Sequence, residues 1–461
     1  YFERHDGEAA TVENFITAMA DASGRNLTQF MRWYTQNGTP EIACSLYYDA
    51  HAKTARLKVS QVLPPTPGQG SKERMHIPLK VGLIGVNGDE LPLKLDGEFV
   101  PDGLLEVTER EQVFEFEDIP APPTPSILRD FSAPVRVTTS LTPEQIEFLM
   151  IHDADPFNRW QAAQTYATDL IASAARDGLD MEPVSGPQAG RLAQALEPTL
   201  RDETLAPTYR AETLKLPSES DIARELGRNV DTDAILAARD TLRTTVSVAM
   251  ADTLSKIYEA TATDEAFSPD PDSAGRRALR NAALDLMTAT GTQDAIDRAL
   301  RHYRNATNMT DSIMALSVLS HFPSDACDEA LDDFYTRWQN DPLVLDKWFA
   351  VQARAGRPDS VSTVRRLLDH PKFTLKNPNR VRALIGSFAM GNPSGFNRAD
   401  GSGYAFVAEQ ALKIDGFNPH VAARLLGAFE SWKTLEPERQ SHAKKALEGL
   451  AGEKLSADAY E

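Results

Sequence analysis

Cysteine is almost absent from this 461-residue chain. Cys44 and Cys327 stand alone and far apart, which excludes a disulfide framework and a zinc knuckle. Basic charge is also short: 48 Lys and Arg face 67 Asp and Glu, a net charge of −19. That balance argues against a nucleic-acid grip or a polybasic membrane surface and favours a soluble, cytoplasmic protein. No run of about 18 apolar residues occurs, so no spanning helix is expected. No secretory leader pattern is readable either. Catalytic signatures are missing as well. His5 and His152 are each followed by Asp and His302 by Tyr, and no histidine begins a His-Glu-x-x-His helix. Gly-x-Ser-x-Gly elbows, Walker loops and dinucleotide glycine fingerprints are likewise not found. The expectation is no catalytic residue and no metal ligand in this chain.

What is present divides the chain by period. Residues 11–23 place Val12, Phe15, Ile16 and Met19 on one helical face with Thr11 as cap, and residues 27–36 read as a second helix ending near Gly38. These two helices lack partners of their own. The chain opens on Tyr1 rather than Met, inside a patterned segment, and is expected to be the C-terminal part of something longer. From Pro40 the period becomes two. Residues 55–62 alternate cleanly, and 77–84, 104–108, 112–116 and 135–139 repeat the pattern between Pro/Gly clusters such as 64–70 and 120–125. About seven short strands in a hundred residues predict a small all-β, immunoglobulin-like sandwich.

At Thr142-Pro143-Glu144-Gln145 a capping box with proline at the first helical position starts a series of amphipathic segments. Helices are expected over 157–175, 231–261, 273–290, 311–322, 343–355, 360–368 and 421–432. Stacked helical hairpins of degenerate sequence predict a large all-α superhelical domain of armadillo/HEAT type. The chain is thus multidomain: 1–38, 39–141 and 142–461. Paired acids such as Asp332-Asp333 read as a solvated helix face, and Trp338, Trp348 and Phe349 as packing.

Residues 377–404 are the most specified stretch. An Asn-Pro start leads into Arg380 and Arg382, a short apolar helix, and an exit through Asn392-Pro393 and Asp400-Gly401-Ser402-Gly403. Two positions apart on a helix diverge by about 200°, so one arginine is expected to face a concave surface and the other solvent. Arg424 is expected near a helix start, where the macrodipole does not favour it.

Taken in order, several motifs resemble the bacterial aminopeptidase N family of zinc metallopeptidases. They are Tyr1-Phe2-Glu3-Arg4-His5-Asp6-Gly7, the stretch from Phe30 to Pro40, His76-Ile77-Pro78, Phe131-Ser132-Ala133-Pro134-Val135, Asn308-Met309-Thr310-Asp311, Asp346-Lys347-Trp348-Phe349 and residues 377–404. The resemblance implies the C-terminal half of such an enzyme. Residues 1–38 would be the last helices of a thermolysin-like catalytic domain, followed by the sandwich and a helical bowl. The Zn2+ site and the catalytic groups would lie on the upstream catalytic domain of the same polypeptide, and this chain alone would be inactive. It would cap the active site, with Arg382 and Arg424 lining the path of peptide substrates. His420, one helical turn before Arg424, would share that face as a third substrate contact, at a position where bacterial relatives often carry glutamine. The competing reading is a freestanding, non-catalytic scaffold that binds a peptide or protein on its concave helical face.

Overall fold

The computed structural model describes residues 1–176 and 180–461, in two compact units, Tyr1–Tyr166 and Ala167–Glu461. The first unit is built on ten strands: β1 (Glu41–Asp49), β2 (Thr54–Val62), β3 (Ile77–Ile84), β4 (Glu90–Leu91), β5 (Lys94–Leu95), β6 (Glu98–Phe99), β7 (Leu104–Val107), β8 (Glu111–Phe116), β9 (Thr124–Ile127) and β10 (Arg136–Thr139). One sheet runs β10-β1-β2-β8-β5-β6, and the other holds β4-β3-β7 with β9 also paired to β3. β1 and β2 pair antiparallel from Glu41↔Val62 to Asp49↔Thr54, while β10 joins β1 in parallel. Alternate residues fill the space between sheets: Ile42, Cys44, Leu57 and Val59 from one, Ile77, Leu79, Val81, Leu105 and Val107 from the other. Period-two patterning therefore located the core. It missed β9, which begins inside the proline-rich stretch expected to separate strands. Pro125 there pairs opposite Leu83.

The helix expected at 11–23 is Val12–Ser23, opened by a reciprocal Thr11/Asn14 capping box and closed by Gly24 at φ 69°. Ile16 and Ala18 are buried, but Val12, Phe15 and Met19 remain exposed. The second helix is corrected. Only Arg32–Thr35 is helical, and the extended backbone at Gln36 ends it before Gly38. Nor does this segment lack a partner. Gln29 Nε2 donates to the carbonyls of Met75 (3.1 Å) and Thr108 (2.8 Å), and the Trp33 indole donates to His76 (2.8 Å). Gln36 binds Glu73 through both ends of its amide. Ahead of that helix the backbone runs through single turns, with Met31 N–H donating to Leu27 and Trp33 N–H to Phe30 (3.0 Å each), and the side chains tie the segment to the sandwich.

In the second unit, helices pair with their sequence neighbours and stack in rows. Pro271–Thr288, Met309–Ser320, Pro342–Arg354 and the stretch 378–391 form one row, and Gln293–Asn305 packs on Asp325–Trp338 in another. Many starts share one device, an Asn, Asp or Ser cap whose side chain accepts from the first turn, as at Asp270, Asn308, Ser324, Asp341, Asn377 and Asn418. The helix expected at 231–261 is two, Thr232–Ala249 and Ala251–Ala260, broken at Met250 (φ −106°). Before the break, the hydroxyls of Thr241, Thr244 and Thr245 each donate to the carbonyl four residues back. Such back-bonding bends helices without any glycine or proline. The buried stripe runs Ile235, Leu242, Val246, Met250, Leu254 and Ile257, leaving Ala249 exposed.

Glu219, first residue of the helix Glu219–Leu226, has one carboxylate oxygen buried without a hydrogen-bond partner. Burial pushes its carboxyl from 4.5 up to about 7, against the pull of Arg239. Below 4.5 both folded and unfolded chains hold this proton and the stabilising contribution is complete. As pH rises the unfolded chain ionises first, so stability falls until about 7 and is then level. Glu219→Gln is expected to raise stability at pH 8 by about 2 kcal/mol and to leave pH 4 nearly unchanged. Urea unfolding at the two pH values measures this, and an equal shift at both would show that the proton is not involved.

Candidate functional site

The Asn377 side chain accepts from the N–H groups of Asn379 (3.0 Å) and Arg380 (3.4 Å), and Pro378 follows it, so the helix begins where the sequence places it. After one α-turn, Pro378–Val381, the backbone widens into a π-turn over Arg382–Gly386 and returns to α over Ser387–Gly391. Such single wide turns recur at functional sites. Here one starts on Arg382.

The two arginines part as their spacing requires. Arg380 is buried, with Nη1 at 3.0 Å from Asp346 and its guanidinium 5.1 Å from the centre of the Phe349 ring. The approach to Asp346 lacks hydrogen-bond alignment, and Arg380 Nε has no partner. Burial raises the Asp346 carboxyl, and Arg380 only partly offsets this. Arg382 is exposed, and among the described residues its side chain has no ion-pair or hydrogen-bond partner. The inward arginine is thus committed to packing, and the outward one is available.

The exit of the stretch is a chain of side-chain-held turns. Asn392 Nδ2 donates to the carbonyls of Ala353 (3.1 Å) and Ala355 (2.8 Å), and its oxygen accepts from Gly395 N–H (2.9 Å). Asp400 accepts from the Ser402 N–H (2.9 Å) and hydroxyl (2.6 Å) and meets Arg398, which holds its carboxyl well below the usual range. A Cβ at Gly403 would strike the Phe396 carbonyl. This exit fixes backbone and offers no ligand-directed group.

Arg424 corrects the expectation drawn from its position. The helix expected at 421–432 is Pro419–Leu426, followed by a 3-10 turn, Gly427–Phe429. Arg424 therefore sits in the last turn, where the macrodipole favours a cation. It too is exposed and has no partner among the described residues. The segments carrying Arg382 and Arg424 meet where Gly386 approaches Leu425. His420 lies one turn before Arg424, and its Nδ1 contacts Asp458 at 2.8 Å while the ring is 90% exposed. Nothing in the sequence marks Asp458 as that partner. Asp333, from the acid pair, is exposed and accepts from the hydroxyl of the buried Tyr303 (2.7 Å), a contact without catalytic geometry. Among the described residues no three His, Cys, Asp or Glu side chains gather to hold a metal ion, so the residues present do not fit a zinc site. No helix among them is long and apolar enough to cross a membrane.

Two family models match the chain. "Domain of unknown function (DUF3458) Ig-like fold" covers residues 38–140, and "Domain of unknown function (DUF3458_C) ARM repeats" covers 143–461. The chain belongs to this family, an Ig-like sandwich joined to ARM repeats. Over its whole length it is similar to proteins named aminopeptidase N. That of Escherichia coli is 38% identical across all of this chain and 52% of the relative, and that of Caulobacter vibrioides 41% across 98% and 50%. The Haemophilus influenzae protein is 38% identical. A crystal structure of Legionella pneumophila aminopeptidase A in complex with aspartic acid superposes with a TM-score of 0.85 at 29% identity, over all of this chain and 52% of that one. The chain spans about half the length of the curated relatives it matches.

Proposed function

We propose that this chain is the C-terminal part of a zinc-dependent aminopeptidase that removes N-terminal residues from oligopeptides in the cytoplasm. The observation that carries the reading is the similarity to proteins named aminopeptidase N at 38 to 41% identity over essentially the whole chain. Zinc and the catalytic groups belong to the upstream catalytic domain, and residues 1–38 are its last helices. The exposed apolar side chains Val12, Phe15 and Met19 support that placement, because a helix in an amphipathic pattern normally buries such a face. The helical part caps the active site, and its exposed, unpaired Arg382 and Arg424 contact the peptide. A guanidinium can donate to peptide carbonyls or fork onto a terminal carboxylate.

The test joins this chain to its upstream half. That protein is expected to hydrolyse an aminoacyl reporter, to lose activity to a chelator and to regain it with zinc, while the 461-residue chain alone leaves the reporter intact. Arg382→Ala or Arg424→Ala should raise KM for oligopeptides about 10- to 100-fold and spare the small reporter, since each removes one charge-assisted hydrogen bond. Equal effects on both substrates would remove the role given to the arginines. Hydrolysis by the isolated chain would overturn the reading itself.

A further inference from the structure

The second unit contains a cavity of about 450 Å³ on whose wall none of Arg382, His420 and Arg424 lies. It is formed by the end of helix Ala251–Ala260, the loop after it, and helices Pro271–Thr288 and Gln293–Asn305, and it reaches Asn308 and Asp311. Five arginines line it. Two are engaged. Arg276 pairs with Glu265 at 2.9 Å, and Arg277 donates to the Ser268 carbonyl (2.8 Å) and lies over the Phe267 ring. The other three, Arg280, Arg298 and Arg301, have no carboxylate within ion-pair distance among the described residues. In a chain with 67 acids against 48 bases, that is not for want of partners.

The interior of the wall is equally unsatisfied. Arg280 and Arg298 both stand over the Tyr258 ring, at 4.8 and 5.7 Å from its centre, so two like charges share one aromatic ring. The Arg280 Nε is buried with no hydrogen-bond partner. His302 is 4% exposed, its Nδ1 lies 2.9 Å from the Tyr258 hydroxyl, and its Nε2 has no partner. Burial, reinforced by the Arg280 charge, drops its pKa to about 4, so the ring is neutral. In the tautomer whose Nδ1 accepts from Tyr258, Nε2 carries a buried, unmet N–H. The inner acid, Asp311, does not answer these donors. Its two oxygens accept from Asn281 Nδ2 and Asn308 Nδ2, both at 2.8 Å. The remaining acids on the wall, Glu259 and Asp264, are exposed.

Buried donors and unmatched cations around one space are costly unless something accepts from them. We propose that this cavity is a binding site for a phosphate-bearing small molecule, held by Arg280, Arg298 and Arg301 with His302 as a neutral donor. Three guanidinium forks match the several oxygens of a di- or polyphosphate better than a single carboxylate. The volume lies in the range of small-molecule sites and exceeds what one orthophosphate fills. The inference is independent of the aminopeptidase reading, since it uses no residue of that site.

Calorimetric titration of the full chain with inorganic pyrophosphate at low ionic strength tests it. Saturable binding at one site per chain is expected, weakening as salt is added. Arg280→Ala combined with Arg298→Ala should weaken it at least tenfold, the effect of losing charged hydrogen bonds. Arg304→Ala, whose arginine pairs with Glu329 and does not line the cavity, should leave binding unchanged. If the double variant fails to fold, Arg301→Lys, on an exposed side chain, keeps the charge, loses the fork and should still weaken binding several-fold. No saturable heat at millimolar pyrophosphate overturns the proposal, as does equal binding by the parent and the arginine variants. Tighter binding of citrate than of pyrophosphate overturns the phosphate identity.

Discussion

Arg439→Ala is expected to destabilise the helical unit by about 2 kcal/mol, less than for a fully buried ion pair because Asp231 and Asp233 are half-exposed to water. Arg439 lies in helix Pro437–Ala451 with its side chain only 4% exposed. Its guanidinium meets Asp231 (3.1 Å), Asp233 (2.5 Å) and Glu436 (3.2 Å), and Nε donates to the Asn397 carbonyl (2.6 Å). One side chain thereby fastens the last long helix to the cap of helix Thr232–Ala249 and to the exit of the 377–404 stretch. A parallel bridge between Val230 and Leu435 runs beside it. Without the cation three carboxylates face one another. Asp233, whose carboxyl burial already raises, is then driven further toward protonation. The loss should therefore be largest near neutral pH and shrink in acid. Arg439→Lys should recover part of it, because an ammonium neutralises charge but cannot reach all four acceptors. Urea midpoints for the two variants measure this; a loss under about 1 kcal/mol for alanine would mean that water already screens the cluster as it does a surface pair.

That cluster also shows where sequence reading stops. Period and caps are local, so the alternating strands, the Thr142 capping box and the Asn377 start were legible. Ion pairs across 206 residues, as between Asp233 and Arg439, leave no local trace. The same holds for the cavity arginines, which two successive helices contribute. Other misses arose where the local signal misleads. Residues 421–432 keep an apolar period, yet the α-helix stops at Leu426 because the backbone tightens into a 3-10 turn without a proline. Together with a start two residues earlier, at Pro419, that shift moved Arg424 from a helix start to a helix end. At Arg380 and Arg382 the divergence followed from helical geometry, but which arginine is buried was set by Asp346 and Phe349 on another helix. The π-turn beginning at Arg382 has no signature in composition. For the segment 27–36, apolar spacing suggested one helix, but only Arg32–Thr35 is helical, and the glutamine and tryptophan side chains that reach sandwich carbonyls have no local signature.

The second large effect is expected in the sandwich, where Gly82→Ala should cost about 3–5 kcal/mol. Gly82 lies within β3, and its backbone is not in the left-handed region, so the glycine supplies space and not conformational freedom. An added Cβ would land on the Arg129 guanidinium, far inside contact distance. Arg129 has little room to yield. It donates to Ser126 Oγ (2.8 Å) and Asp153 Oδ1 (3.0 Å) and is paired with Glu90. Asp153 is fully buried, and its second oxygen has no hydrogen-bond partner. Displacing Arg129 therefore leaves a buried carboxylate without its cation. It also frees the turn around Arg129, where Leu128, Asp130 and Phe131 all adopt positive φ (65°, 55° and 50°). Non-glycine residues hold such angles only under surrounding restraint. Two consequences separate this account from simple crowding. Burial already raises the Asp153 carboxyl against the pull of Arg129, and losing that pull raises it further. A raised carboxyl stabilises the fold most in acid and loses that contribution as pH rises through the folded value, so the deficit of Gly82→Ala should grow from acid toward neutral pH. Arg129→Ala breaks the same contact while making room for the methyl group, so the double variant should be no less stable than Arg129→Ala alone. Additive losses and a deficit independent of pH, read from urea unfolding of the four proteins, would assign the glycine to packing alone.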